Sequence, residues 1–139
     1  MTAIVSRLLK INVRARSREN IRALLCDVLG ALPMHDRGAD TIGEFEGSVV
    51  ELGGVMFDIV VPTDADSALA KVIDKHGEGI DSICFAVDDM DYTRDQLNER
   101  GVEFARFTEF HGSKVAFVHP RDACGIGLEF IQGPTSDAD

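Results

Sequence analysis

Apolar and polar residues alternate along several stretches of the chain, and a helical spacing separates them. From Leu8 to about Arg16 an extended segment puts Leu9, Ile11, Val13 and Ala15 on one face and Lys10, Asn12 and Arg14 on the other. The spacing of Ile21, Leu24, Leu25 and Val28 then predicts a helix from Arg18 to Leu29, closed by Gly30. At Ser82 the order starts again in "SICFAVDDMDYTRDQLNERG": a strand, an acidic helix start at Asp88 to Asp91, a helix through Leu97 and a closing Gly101. Lys10 to Gly30 spans 20 positions and Ser82 to Gly101 spans 19, so the second copy is one residue shorter.

The second halves match as well. "GVMFDIV" (Gly54 to Val60) and "GIGLEFI" (Gly125 to Ile131) align with an offset of 71 residues, which sets Asp58 on Glu129. A period this long is that of a duplicated module, not of a solenoid. Each module reads as strand, helix and three strands: "ALPMHD", "EFEGSVVEL" and "GVMFDIVV" in the first, "VEFARF", "SKVAFVH" and "GIGLEFIQ" in the second. The predicted organisation is a single domain over 1–139 containing modules at about 7–62 and 80–133. A linking helix at about 65–76 joins them, with Asp64 or Asp66 near its cap and Gly77 at its end. The fold class is α+β: two βαβββ modules forming a curved mixed sheet around a cleft.

Alternation sorts the side chains. Ile83, Phe85 and Val87 oppose Ser82, Cys84 and Ala86; Phe57 and Ile59 oppose Met56, Asp58 and Val60; Leu128 and Phe130 oppose Gly127, Glu129 and Ile131. The all-apolar face of each strand is the natural seat of its module's helix. The opposite face carries one polar residue per strand at equivalent places in the two copies: Lys10, Asp58, Ser82 and Glu129. Such a face either lines a pocket or is simply wet, and alternation alone allows both.

Charge and cysteines narrow the function classes. With 14 basic and 24 acidic residues the formal net charge is −10, which disfavours a nucleic-acid partner and suits neutral or cationic ligands. Arg7, Lys10, Arg14, Arg16, Arg18 and Arg22 nevertheless crowd the first 22 positions, as a local cationic patch or a solvated face. No run approaches the roughly 18 apolar residues of a membrane span, and "MTAIVSRLLKINVRARS" lacks the pattern of a secretory signal, so no membrane partner and a cytoplasmic location are expected. Cys26, Cys84 and Cys124 show no ligand spacing and read as reduced thiols.

With these motifs in view, the chain resembles the vicinal oxygen chelate superfamily, the glyoxalase and bleomycin-resistance fold of paired βαβββ modules. Within it the pattern is most similar to that of the methylmalonyl-CoA epimerases. "KHGEGIDSICFAVDDMD" looks like that family's approach to a "HHIAF.VDD" strand, and "VAFVHPRDACGIGLEF" looks like its "HP…G…IEL" ending. The resemblance implies four metal-ligand positions, which fall here on Lys10, Asp58, Ser82 and Glu129, with Asp81 and Ser82 standing where a histidine pair is expected. A lysine ammonium has no lone pair for a divalent ion and serine is a weak ligand, so the family metal is expected to be lost and no cofactor is expected. His35, His76, His111 and His119 fall in loops or at element ends and do not restore the set.

What the resemblance implies for activity is an epimerase, isomerase or lyase acting on a small molecule by proton abstraction next to a carbonyl or thioester, without a metal. Glu129 is the candidate base and Lys10 the cation that holds the enolate oxygen. Ser82 or Asn12 would donate a hydrogen bond, and Asp58 would act as a second acid/base group or as the partner of Lys10. Arg14 would meet a substrate carboxylate or phosphate, and Met56 and Cys84 belong to the same substrate-binding face. The alternative is a metal-free protein of the bleomycin-resistance type that sequesters a ligand or antibiotic. It would use Phe45 as a groove aromatic in a chain without tryptophan. Either reading implies a homodimer, by likeness to superfamily members that pair modules within or between chains.

Overall fold

A computed structural model of the chain describes residues 3–37, 45–110 and 112–133. The elements follow in the order β1 (Val5–Arg14), α1 (Arg18–Arg22), a π-helix (Ala23–Val28), β2 (Leu32–Arg37), β3 (Phe45–Leu52), β4 (Val55–Pro62), α2 (Ala68–His76), β5 (Gly79–Val87), α3 (Met90–Asn98), β6 (Arg106–Phe110), β7 (Ser113–Val118), a 3-10 turn (Pro120–Asp122) and β8 (Leu128–Gln132). The architecture is α+β, and the order strand, helix, three strands occurs twice.

Two compact units divide the chain: Ile11–Asp81, and Met1–Lys10 together with Ser82–Asp139. The boundary falls inside β1. In the first unit the strand order is β2-β3-β4-β1; in the second the opening half of β1 leads into β5-β8-β7-β6. There the hydroxyl of Ser6 donates to the carbonyl of Ala86 at 3.1 Å.

Each unit has its own core, built from the strand faces expected to be apolar. In Ile11–Asp81, Val13, Ala15, Val50, Ile59 and Val61 pack with Leu25 of the π-helix, joined by Ile11, Ile21 and Phe57. In the other unit Val87, Ala116, Val118 and Phe130 pack with Met90 of α3, joined by Phe85, Leu97 and Phe104. Helix starts are set by side-chain caps: Ser17 accepts from the Asn20 amide, Ser67 from Ala70 and Asp89 from Tyr92, at 3.0 to 3.1 Å. At α2 the cap is therefore Ser67. Asp64 instead closes a local turn, accepting the Asp66 amide on its carboxylate at 2.8 Å. Gly77 ends α2 with φ 86° while its N–H returns to the Ile73 carbonyl, a conformation a Cβ would strain.

Three elements differ from the spacing-based expectation, each for a local reason. The helix after β1 is α-helical only to Arg22, and the amide of Leu29 bonds five residues back to Leu24. These wider turns rotate Leu24 and Val28 off the core face that a 3.6 period assigns them, and Val28 is 72% exposed. β6 starts at Arg106, not at Val102, because the Val102 amide is tied to the Leu97 carbonyl at the end of α3. β8 begins at Leu128 because Gly125 and Ile126 close the turn, donating to Pro120 and Ala123.

The Asp89 cap serves the helix that covers the second core, so Asp89→Ala should destabilise the protein by about 1 kcal/mol. Asp89→Asn should cost less, because it keeps the acceptor. Chemical denaturation of the three proteins checks this through the shift in midpoint.

Candidate active site

The parallel strand pairs place the polar residues. In Ile11–Asp81, β1 and β4 run parallel with Asn12 opposite Asp58 and Val13 opposite Ile59. In the other unit β5 and β8 run parallel with Cys84 opposite Glu129 and Phe85 opposite Phe130. The register is the same in both, and it matches the offset between the repeated halves. Val13 with Ile59, and Phe85 with Phe130, face the helices, so Asn12 with Asp58, and Cys84 with Glu129, occupy the opposite face of each sheet. Lys10 and Ser82 stand two residues earlier on β1 and β5. All six of these side chains are buried, at 0 to 8% exposure.

Burying carboxylates and an ammonium is costly unless they are paired and hydrogen-bonded. Accordingly none of Lys10, Asn12, Asp58, Ser82 and Glu129 is without an interaction partner. Lys10, Ser82 and Glu129 all belong to one unit, on the successive strands β1, β5 and β8. Asn12, Arg14, Phe45, Met56 and Asp58 belong to the other. There Met56 shares the Asp58 face, opposite Glu51. Phe45 lies on that face too, two strand alternations before Val49, which is opposite Asp58.

Arg14 is held where its strand ends. Its Nε donates to the Gly77 carbonyl at 2.8 Å, and its Nη1 donates to Asp81 at 3.0 Å. Asp81 thus serves as the partner of Arg14 within the Ile11–Asp81 unit. Of the histidines, His35 lies inside β2 and not at an element end, and is opposite Val49. His76 ends α2. His119 caps the 3-10 turn, its Nδ1 accepting the Arg121 amide at 3.1 Å. His111 lies outside the described residues.

Comparison with known proteins gives this geometry a lineage. Residues 10–117 match the family model of the glyoxalase/bleomycin resistance protein/dioxygenase superfamily. The chain belongs to this superfamily. It is 28% identical over 138 residues to the mitochondrial methylmalonyl-CoA epimerase of Bos taurus, covering 92% of this chain and 75% of that protein. It is 26% identical over 133 residues to the protein YqjC of Bacillus subtilis, covering 92% and 93%. Among solved structures, methylmalonyl-CoA epimerase from Mycobacterium tuberculosis superposes with a TM-score of 0.77 at 24% identity, over 97% of this chain and 93% of that one. At that identity the superposition speaks for the fold alone.

The metal that the superfamily resemblance implies can be tested against the side chains present. In the unit that holds Glu129, the equivalent positions offer one carboxylate, one hydroxyl and the ammonium of Lys10. An ammonium has no lone pair to give and repels a divalent ion. Among the described residues no group of three or more His, Cys, Asp or Glu is arranged to hold a metal ion. This donor set does not fit a divalent metal.

Three further arginines that follow β1 pair with acids of the Ile11–Asp81 unit. Arg16 pairs with Asp74 at 2.9 Å, Arg18 with Glu46 at 2.9 Å and Arg22 with Asp36 at 3.3 Å. The Arg16 amide also donates to Glu78 at 2.8 Å. Asp36 accepts in addition from the buried Ser48 hydroxyl. That hydrogen bond, with the Arg22 and Arg18 guanidinium charges, outweighs desolvation and holds the Asp36 carboxyl below its ordinary 3.8.

A depressed carboxyl contributes stability above its unfolded value and loses it as pH falls through the folded one. Asp36→Asn should therefore be destabilising at neutral pH. The gap to the unsubstituted protein should begin to close as pH falls below about 4, the unfolded value of an aspartate. Thermal melts at several pH values check this; a gap that persists unchanged into strong acid contradicts the assignment.

Proposed function

We propose that this superfamily member is a metal-independent enzyme of the epimerase, isomerase or lyase kind, removing a proton from carbon next to a carbonyl or thioester. The observation that carries the reading is a buried carboxylate, Glu129, in one unit with a buried ammonium, Lys10, and a buried hydroxyl, Ser82, on three successive strands. Carbon-acid chemistry needs a base at the acidic carbon and a positive or hydrogen-bonding group where the enolate oxygen forms. In this proposal the Glu129 carboxylate takes the proton. Electron density moves to the carbonyl oxygen, which the Lys10 ammonium and the Ser82 hydroxyl receive. Return of a proton from Glu129 to the same face gives exchange with solvent, whereas proton delivery to the opposite face inverts the carbon; both leave the enzyme unchanged.

The relatives support a substrate class for this reading. Several are methylmalonyl-CoA epimerases, including the bovine protein and one from Streptomyces coelicolor solved with 2-nitronate-propionyl-CoA. A further methylmalonyl-CoA epimerase was solved with methylmalonyl-CoA and an ammonium ion. The proposed substrates are accordingly acyl-CoA thioesters.

Acyl-CoA thioesters should raise the melting temperature of the protein, since a ligand that binds only the native state stabilises it. Stabilisation by cationic drugs and not by thioesters would favour a sequestering protein instead. With a bound thioester, Glu129→Gln should slow deuterium uptake at the carbon next to the carbonyl by about 10²–10⁴ while leaving binding intact. Near-normal uptake in that variant would remove Glu129 from the role of base.

Metal independence has a separate check. The purified protein should contain no stoichiometric divalent metal after dialysis, and exhaustive chelation should leave thioester exchange unchanged. Roughly one retained transition-metal ion per chain would overturn it.

A further inference from the structure

The row of side chains that contains Glu129 continues beyond it. On the far side of β8, β7 places Phe117 opposite Glu129, and β6 places Arg106 opposite Phe117. Directly opposed residues project from the same face of a sheet. Cys84, Glu129, Phe117 and Arg106 therefore form one line across four strands of a single unit. The alternate row, Phe85, Phe130 and Ala116, packs toward α3, so the Glu129 row is on the other face. Along this line exposure rises from the buried Cys84 and Glu129 through the half-buried Phe117 to the exposed Arg106.

Arg106 does not extend away into solvent. Its guanidinium carbon lies 4.5 Å from the centroid of the Phe117 ring. Phe117 lies on the strand next to that of Glu129, about 4.8 Å away in strand spacing, and Arg106 stands one strand further out. A guanidinium stacked on a ring keeps its in-plane N–H groups available for two-point binding of an oxyanion. Arg14, Arg16, Arg18, Arg22 and Arg94 each pair with an acid. Among the described residues Arg106 pairs with no carboxylate, and its ring contact is the interaction that fixes it.

The duplicated unit supplies an internal control. Its equivalent row reads Asn12, Asp58, Val49 and His35, without a stacked cation. The arginine and its aromatic support therefore distinguish the half that holds Glu129.

We propose that Arg106 is the specificity-determining anion receptor of the Glu129 site, binding a carboxylate or phosphate oxyanion of the ligand whose acidic carbon meets Glu129. The pairing with chemistry rests on the reading of Glu129 as base; the anion site itself does not. Phe117 sets the height and direction of the guanidinium, and the planar donors give two parallel hydrogen bonds to one oxyanion.

The test compares the unsubstituted protein with Arg106→Met, which keeps the alkyl contact with Phe117 and removes the charge, and with Arg106→Lys, which keeps charge without the planar fork. Malonate and inorganic phosphate are titrated first, by calorimetry, so that the anion site is read without any thioester. Arg106→Met should weaken the better of the two by about tenfold or more, the worth of a charge-assisted contact, and Arg106→Lys should fall between. Methylmalonyl-CoA, propionyl-CoA and methylmalonyl-pantetheine then locate the anion. Loss confined to the two methylmalonyl compounds identifies the acyl carboxylate as the partner, and loss confined to the two CoA compounds identifies a phosphate. Unchanged affinity of Arg106→Met for both anions and all thioesters overturns the proposal, as does failure of the unsubstituted protein to bind either anion or any anionic thioester. If Arg106→Met loses the anions while Glu129→Gln keeps normal exchange, the anion site stands and the base assignment falls.

Discussion

Everything that distinguishes this chain depends on one register, the parallel pairing of the first and last strands of each module. Asn12 meets Asp58 and Cys84 meets Glu129 because β1 with β4, and β5 with β8, are aligned alike. A slip of one residue would turn Ile59 or Phe130 away from its helix and drive Asp58 or Glu129 into the apolar core. Hydrophobic burial on the helix side therefore holds the buried polar groups on the other. Neither carboxylate needs a strong local preference for its position, since the neighbours at Ile59 and Phe130 hold it there.

Charge is used in two different ways around this frame. In the Ile11–Asp81 unit the arginines that follow β1 are matched by Asp74, Glu46, Asp36 and Asp81, and the segment after α2 is fastened to the end of β1 through Arg14 and the Arg16 amide. Exposed pairs of this kind contribute little each. Buried charge occurs in both units, at Asp58 in the first and at Lys10 and Glu129 in the second, where Arg106 lies over the Phe117 ring.

The superfamily membership and the departures from its pattern carry different information. The paired-module fold accommodates unrelated reactions, so membership alone does not specify one. The departures are more particular: Lys10 and Ser82 stand where the resemblance expects imidazoles, and an ammonium cannot take their place as a ligand. A cation supplied by the polypeptide is fixed in number and position, which a bound ion is not.

Period-2 alternation and the offset of 71 residues determined the strand faces, the duplication and the equivalence of Asp58 with Glu129, because these follow from side-chain geometry within one strand. The α+β class and both module helices followed from the same patterns. Tertiary structure decided what depends on partners distant in sequence. The π-helix turned Leu24 and Val28 out of the core, an effect of backbone hydrogen bonding that spacing does not encode. Arg14 found Asp81, 67 residues away, which leaves its guanidinium within its own unit. Arg106 escaped notice because β6 begins four residues later than its apolar pattern suggests, and only the ladder through Phe117 aligns it with Glu129. A sequence states which face a residue takes; the register between strands, set by packing across the whole unit, states which residues share a line.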